Sequence, residues 1–303
     1  MPEVLVATAS GCRTFADSGE GELELAGRQV DAVTPEVGGG CLAIVEGREI
    51  WRRDSRRAWS RVATAGISLQ SILSVGGVVF AGAMDEAAVL RIPVGGELER
   101  LRGFDHVPGR DQWFAGGPPL GVRALTATAD AAAVLAAVHV GGIPRSLDAG
   151  KTWEPTLPIA FDVHEVRAHP SAPNIVAAAA AVGLCISQDG GRTWRIRSEG
   201  PEVTNSLAVA VLHDQVLFSV QDGPFAKRSQ LWRWRLGTDA LEQVRDGLPE
   251  WLEGKIDTAK IAAGRGRAAI VDQGGSLWLA EGGASGWERI ATDLACVFAL
   301  AIL

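Results

Sequence analysis

The sequence predicts an all-β chain folded as a seven-bladed β-propeller, and three observations lead to this prediction. The phrase S-x-D-x-G-[K/R]-T-W occurs at residues 146–153 and again at 187–194, 41 residues later. A repeat of about 40 residues is typical of one four-stranded propeller blade. Short apolar runs separated by Gly, Asp and Asn recur along the chain, as in successive antiparallel strands. The two chain ends each supply part of a blade.

The clearest repeat unit lies at residues 122–156. It divides into strand A at 122–127, strand B at 133–139, strand C at 143–146, the repeated phrase, and strand D from Thr152. In the next unit the alanine-rich run 177–181 is assigned to an inner strand by its place in the repeat, although alanine favours helix. Six complete blades are predicted, at 28–63, 67–102, 121–157, 163–198, 205–246 and 256–291.

The remaining blade is predicted from the two ends of the chain. One strand at 296–303 and three strands within 4–26 together make a four-stranded unit, which we number blade 1. Pairing the C-terminal strand with the N-terminal strands closes the ring and removes the exposed sheet edges. We therefore expect residues 1–303 to form a single domain. Because a closed ring leaves no edge strand to pair, we expect a monomer or weak dimer.

The repeated phrase suits a tight hairpin between strands C and D. Glycine permits positive φ, and Asp, Ser and Thr side chains form hydrogen bonds with nearby backbone groups. Tryptophan begins strand D and is expected to pack over the hairpin. The predicted structural residues are Ser146, Asp148, Gly150, Thr152, Trp153, Ser187, Asp189, Gly191, Thr193 and Trp194. Their substitution is expected to cost stability rather than specificity.

The phrase resembles the Asp-box, or BNR repeat, of β-propellers. This repeat occurs in sialidases, sortilin-type receptors, some glucanases and assembly factors of the photosystem II type. The resemblance implies a sialidase-like fold of the WD40/YVTN/BNR-like class, with the boxes on the face opposite the usual binding site. It implies little about function, because one fold supports many functions.

The resemblance to sialidases does not extend to their chemistry. A retaining sialidase uses a Tyr nucleophile paired with a Glu, and this chain contains no Tyr. The retaining-sialidase mechanism is therefore excluded. No G-x-S-x-G elbow, phosphate loop or dinucleotide fingerprint occurs between a predicted strand and helix.

In a propeller the D–A and B–C loops share one face around the central channel, and the A–B and C–D loops share the other. The longest predicted D–A connection spans 103–121, and loops of this length are often functional. The candidate ligand- or partner-binding residues on the D–A/B–C face are Asp105, His106, Arg110, Asp111, Trp113, His139, Asp162, His164, Glu165, Lys227, Arg228 and Trp251.

Within this set, His106, His139 and His164 are candidate ligands of a divalent metal, since His with Asp or Glu is a common ligand set. The alternative is that they are solvated loop residues. Trp113 and Trp251 are expected near the channel mouth, where an aromatic ring can stack on a sugar, anchor a partner, or pack its own loop onto the body.

Charge and composition narrow the partners. The net charge of −7 argues against nucleic acid, whose binders usually carry a clustered basic surface. No apolar run has the length of a membrane span. The first twelve residues lack the basic region of a secretory signal, so a cytoplasmic location is expected. Four scattered cysteines without metal-like spacing are expected to be free and mostly buried.

The leading interpretation is a non-catalytic propeller that binds a protein, a small ligand or a glycan through the D–A/B–C loop face. No cofactor is expected beyond the candidate divalent metal. The alternative is a hydrolase or lyase, glycan-directed or metal-assisted, that uses a His/Asp cluster at the channel mouth of blades 4 and 5. An enzyme would have a deep pocket with converging carboxylates or a metal, whereas a scaffold would have a shallower surface.

Overall fold

The computed structural model describes residues 3–16, 19–113, 120–223 and 225–303. These residues form seven antiparallel β-sheets arranged in a ring, which confirms the predicted seven-bladed propeller. Their helices are three short 3-10 turns, Arg102–His106, Arg110–Gln112 and Ile159–Phe161. None of the helices in the described ranges is long and apolar enough to cross a membrane.

Each blade runs from an innermost strand A to an outermost strand D. Blade 1 contains Val297–Ile302, Val4–Thr8, Gly11–Ala16 and Gly19–Glu24. Blade 2 contains Val30–Pro35, Cys41–Val45, Glu49–Arg53 and Trp59–Thr64. Blade 3 contains Leu69–Val75, Val78–Ala83, Val89–Ile92 and Glu99–Arg100. Blade 4 contains Val122–Ala127, Val134–Val138, Ile143–Ser146 and Glu154–Leu157. Blade 5 contains Val163–Ala168, Val176–Ala180, Gly183–Ser187 and Arg195–Arg197. Blade 6 contains Val209–Val211, Gln215–Gln221, Arg228–Arg235 and Leu241–Gln243, and the short strand Leu252–Glu253 also pairs with Arg228–Arg235. Blade 7 contains Ile261–Gly264, Arg267–Val271, Leu277–Glu281 and Ser285–Ala291.

The ring closes where the two chain ends pair. Val297–Ile302 runs antiparallel to Val4–Thr8, with Val4 opposite Ile302. Leu303 donates its N–H to the carbonyl of Glu3 at 2.8 Å and extends this pairing. The innermost strands of neighbouring blades contact one another around the whole ring, including blade 7 with blade 1.

The core consists of apolar layers between adjacent blades. Strand B of blade 5, Val176–Ala180, is buried along its whole length. A strand covered on both faces becomes a continuous apolar run rather than an alternating one. Burial between neighbouring blades therefore explains why this alanine-rich segment is a strand despite the helix propensity of alanine.

The two copies of the repeated phrase form equivalent C–D hairpins. In the first copy, Gly150 donates its N–H to Ser146 Oγ at 2.8 Å and Thr152 donates its N–H to Asp148 at 2.8 Å. The second copy repeats both hydrogen bonds at the same distances. All of these bonds stay within the hairpin.

The four cysteines are free. Cys12, Cys41 and Cys185 are buried and Cys296 is exposed. Burial raises the pKa of the three buried thiols to about 12. They therefore pack as small apolar side chains that stay protonated at neutral pH.

Candidate functional site

The D–A/B–C face opens into a mouth cavity of ≈ 480 Å³ above the channel. The cavity is lined by residues at the start of the innermost strands, among them Asp31, Gln70, Arg123 and Phe298. His139, at the end of strand B in blade 4, also lines it. The mouth therefore lies on the face where the sequence placed the candidate residues.

An ion pair crosses the channel at the mouth. Arg123 in blade 4 contacts Asp257, ahead of strand A in blade 7, at 2.6 Å, and it donates a hydrogen bond to Thr258 at 2.8 Å. Lys255 contacts the other carboxylate oxygen of Asp257 at 2.8 Å. Burial alone would raise the pKa of Asp257, but the charges of Arg123 and Lys255 hold it well below its usual range.

Glu165 does not face the mouth, which corrects its place among the predicted binding residues. Its side chain is fully buried, and its carboxylate accepts the N–H groups of Val209 at 2.9 Å and Ala259 at 3.2 Å. Arg167 contacts the same carboxylate at 2.5 Å. Desolvation raises the pKa of Glu165. The residue links blades 5, 6 and 7 inside the ring.

A cluster of three ligand-type side chains lies beside the mouth cavity. Asp162 Oδ1 is 3.5 Å from His139 Nε2, and its Oδ2 is 3.6 Å from His164 Nε2. The two histidines are 6% and 4% exposed. The contact with His164 is the main cause that lowers the pKa of Asp162.

Local backbone geometry brings these three side chains together. Asp162 ends the 3-10 turn Ile159–Phe161 with φ of 48°, a left-handed conformation that Asp adopts more readily than most residues. His164 lies two residues later in strand A of blade 5, and its Nδ1 is 2.8 Å from the carbonyl oxygen of Ser206. His139 approaches from the neighbouring blade.

His106 lies outside this cluster. It is exposed at the end of the 3-10 turn Arg102–His106, and the described His, Cys, Asp and Glu atoms that group within 4.8 Å are those of His139, Asp162 and His164. Its predicted place beside the other two histidines is therefore corrected. Asp162 takes the third position, because its backbone turns the carboxylate between the two rings.

The described part of the long D–A loop packs against the body. Trp113, for which both exposure at the mouth and packing of its own loop are predicted alternatives, is only 8% exposed, with its ring centroid 5.8 Å from that of Phe104. Phe104 meets Trp153 edge-on at 5.0 Å. Arg110 lies over the Trp113 ring at 4.7 Å. The described part of the loop fills the space between blades 3 and 4, where strand D of blade 3 is only two residues long.

The charged residues of that loop are paired or exposed. Asp105 forms ion pairs with Arg100 at 2.7 Å and Arg102 at 3.7 Å. Asp111 is exposed at the second 3-10 turn. Residues 114–119, part of the same predicted connection, lie outside the described residues.

A second cavity, of ≈ 380 Å³, lies beside blade 6 on the same D–A/B–C side. We call it the tryptophan groove, because Trp232 and Trp251 both line it. The other side chains that line it are Glu202, Val203, Asp222, Arg228, Gln230, Gln243, Arg245 and Glu250. Trp251 and Arg228 were predicted as candidates, whereas Trp232 was not.

Hydrogen bonds and stacking hold the groove side chains in place. The Arg228 guanidinium lies over the Trp251 ring at 3.9 Å, and the Trp232 indole donates to Gln230 at 2.9 Å. Arg228, Gln230 and Trp232 alternate along strand C of blade 6 and so share one face. That period of two is the sequence signal that identifies Gln230 and Trp232. Lys227 is exposed and lines a separate shallow pocket.

Comparison with known proteins adds information on the fold. No protein-family model matches the sequence, and no curated protein matches it in sequence. An ancestral GH74 enzyme superposes with a TM-score of 0.65 at 11% identity, covering 99% of this chain and 40% of that one. The GH74 xyloglucanase from Xanthomonas campestris gives a TM-score of 0.57 at 18% identity, covering 93% of this chain and 44% of the enzyme.

A computationally designed protein, Ika8, gives a TM-score of 0.62 at 14% identity, covering 98% of this chain and 86% of the designed one. The chain thus spans less than half the length of the two GH74 enzymes. At these identities the likeness concerns the propeller fold alone.

Proposed function

We propose that this protein is a non-catalytic, ligand-binding propeller that holds a glycan in the tryptophan groove on its D–A/B–C loop side. The supporting observation is that one groove combines two tryptophans with amide, guanidinium and carboxylate side chains. The apolar C–H face of a sugar ring packs on an aromatic ring, and its hydroxyls pair with such polar groups.

Preorganisation of the groove supports the same proposal. Arg245 donates to Gln243 at 2.7 Å and forms an ion pair with Glu250 at 3.3 Å, while Gln243 donates to the Glu250 carbonyl at 3.1 Å. Side chains already held by such contacts lose less conformational freedom when a ligand binds. A ring stacked beneath a guanidinium, as Trp251 is beneath Arg228, is likewise held in one orientation.

Two further observations agree with this proposal without carrying it. The paired C–D hairpins support membership of the Asp-box propellers, and one of the structurally similar proteins is a xyloglucanase. Xyloglucan oligosaccharides are therefore the first probes to try. A broad glycan array extends the search to other sugars.

Calorimetric titration of the whole protein with array-selected oligosaccharides tests the proposal. We expect Trp251→Ala and Trp232→Ala each to weaken binding at least about tenfold, roughly 1.4 kcal/mol. Trp51→Ala is the matched control, because Trp51 is also half-buried and lies under an arginine, Arg28, at 4.9 Å, but outside the groove. The proposal would be contradicted if no glycan bound on the array or in the calorimeter. It would also be contradicted if Trp51→Ala lost as much glycan affinity as the groove variants.

A second candidate function is a hydrolase or lyase at the channel mouth. The specific observation in its favour is the meeting of His139, Asp162 and His164 beside the mouth cavity. A product assay on the same oligosaccharides, run with and without added zinc, tests it. Product formation that is lost in Asp162→Asn but kept in Trp251→Ala would favour the enzyme over the scaffold.

A further inference from the structure

We propose that Nε2 of His139, Nε2 of His164 and the carboxylate of Asp162 bind one divalent transition-metal ion of the zinc type. This inference does not depend on the tryptophan groove. The proposed site would hold the ion that a metal-assisted reaction at the mouth requires. Ion binding, and not activity, tests the proposal.

The spacing of the ligand atoms fits such an ion. One ligand atom from each of the three residues lies within 4.8 Å of the other two. His139 Nε2 is 3.5 Å from Asp162 Oδ1, and His164 Nε2 is 3.6 Å from Asp162 Oδ2. In a tetrahedral zinc site with bonds of about 2.0–2.1 Å, neighbouring ligand atoms are about 3.3 Å apart, which is close to these two distances.

The tautomer of His164 also favours a cation. Its Nδ1 is 2.8 Å from the carbonyl oxygen of Ser206, and because a carbonyl only accepts, Nδ1 carries the proton. In the neutral ring, Nε2 then presents a lone pair to the Asp162 carboxylate at 3.6 Å. Two acceptors that face each other form a suitable pair of ligands for a cation placed between them. A backbone carbonyl bound to the other nitrogen is the usual support of a metal-binding histidine.

Burial and access match a site with an open coordination position. The histidine side chains are 8% and 5% exposed, whereas that of Asp162 is 39% exposed. Of the three side chains, that of Asp162 is the one that solvent reaches. Three protein ligands with room for water is the arrangement of catalytic zinc sites, while structural sites are closed by four protein ligands.

Titration of the chelator-treated, dialysed full-length protein with Zn²⁺ in a calorimeter tests the proposal, with Co²⁺ absorption as a second readout. We expect one ion per chain with a Kd of about 1 µM or tighter. His139→Ala, His164→Ala and Asp162→Asn are each expected to weaken binding at least about 100-fold, because each removes one of three ligands. Asp162→Asn keeps the side-chain volume, and circular dichroism verifies its fold.

His213→Ala and His106→Ala are the matched controls, since both histidines are exposed and lie outside the cluster. Zinc affinity unchanged in these controls supports the assignment. Binding that survives all three cluster substitutions would overturn it. Zinc that leaves the melting temperature of the wild type unchanged would also overturn the proposal.

Discussion

Two histidine pairs lie on opposite faces of the ring. The rings of His139 and His164 are 6.2 Å apart on the D–A/B–C face, and those of His169 and His213 are 5.7 Å apart on the A–B face. The first pair directs Nε2 atoms at the carboxylate of Asp162. The second pair has no described Asp or Glu grouped with it within ligand distance. The distance between two histidine rings therefore does not identify a candidate metal site. The groups that the ring nitrogens face distinguish the two pairs.

His169 uses both ring nitrogens for the backbone. Its Nδ1 accepts the N–H groups of Ser171 at 3.1 Å and Ala172 at 2.9 Å, and its Nε2 donates to the His213 carbonyl at 2.8 Å. This histidine shapes an A–B turn and joins it to the next blade. The two C–D hairpins at 146–153 and 187–194 also use their Asp and Ser side chains for backbone hydrogen bonds, so these hairpins and the His169 turn are expected to respond to mutation through stability.

The largest expected effect on that face comes from Trp153. It is 4% exposed and meets Phe104 edge-on, so Trp153→Ala is expected to lower the free energy of unfolding by about 3–5 kcal/mol. Trp194, its half-buried counterpart in the second hairpin, is expected to cost about half as much. Denaturant unfolding measures both. A large loss of glycan or zinc affinity in folded Trp153→Ala would contradict the expectation that substitutions on this face change stability and leave binding on the opposite face unchanged.

The next effect comes from His169. Replacing His169 by Ala removes three hydrogen bonds and is expected to cost about 1–3 kcal/mol of stability. His213→Ala keeps the carbonyl that His169 uses and is expected to stay within about 0.5 kcal/mol of wild type. Thermal and denaturant unfolding of both variants provide the measurement. Equal destabilisation by the two substitutions would show that the rings, rather than the backbone bonds, hold this turn.

The smallest effect is a pH dependence at Asp189. Partial desolvation would raise its pKa, but hydrogen bonds from Thr193, Ser187 and Arg192 hold it at about 2, below the usual 3.8. A depressed folded-state pKa contributes stability that is complete above the unfolded value and lost as the pH falls through the folded one. Because the side chain is exposed, the melting-temperature difference between wild type and Asp189→Asn is expected to be at most about 2 °C.

We expect that difference to be constant above pH 5 and to shrink between pH 4 and about 2, as the folded-state carboxylate becomes protonated. Melting curves across this range measure it. A difference that grows on acidification would contradict the sign of the shift.

The sequence predicted the fold because its signals are local. Strand alternation and turn residues each act within one blade, and the 41-residue spacing relates one blade to the next. Strand A of blade 4 is predicted at the residues observed, Val122–Ala127. The sequence left open whether Trp113 is buried, because its burial depends on Phe104 from the same loop and on the outer gap between two blades. No local pattern announces that kind of contact.

The candidate site was predictable only in part, for the same reason. Placing His139 and His164 on neighbouring blades followed from the repeat, whereas the position of Asp162 depends on its left-handed backbone. Glu165 follows His164 directly, yet its carboxylate reaches N–H groups of two other blades. The sequence alone does not specify such inter-blade distances.

The ion pair between Arg123 and Asp257 lies on the path of any molecule that moves along the central channel from the mouth. Both side chains line the mouth cavity, and a second cavity of ≈ 230 Å³ lies toward the opposite face. A molecule that enters the mouth therefore meets these paired charges before it reaches the second cavity. The pair also joins blades 4 and 7, which are not neighbours in the ring.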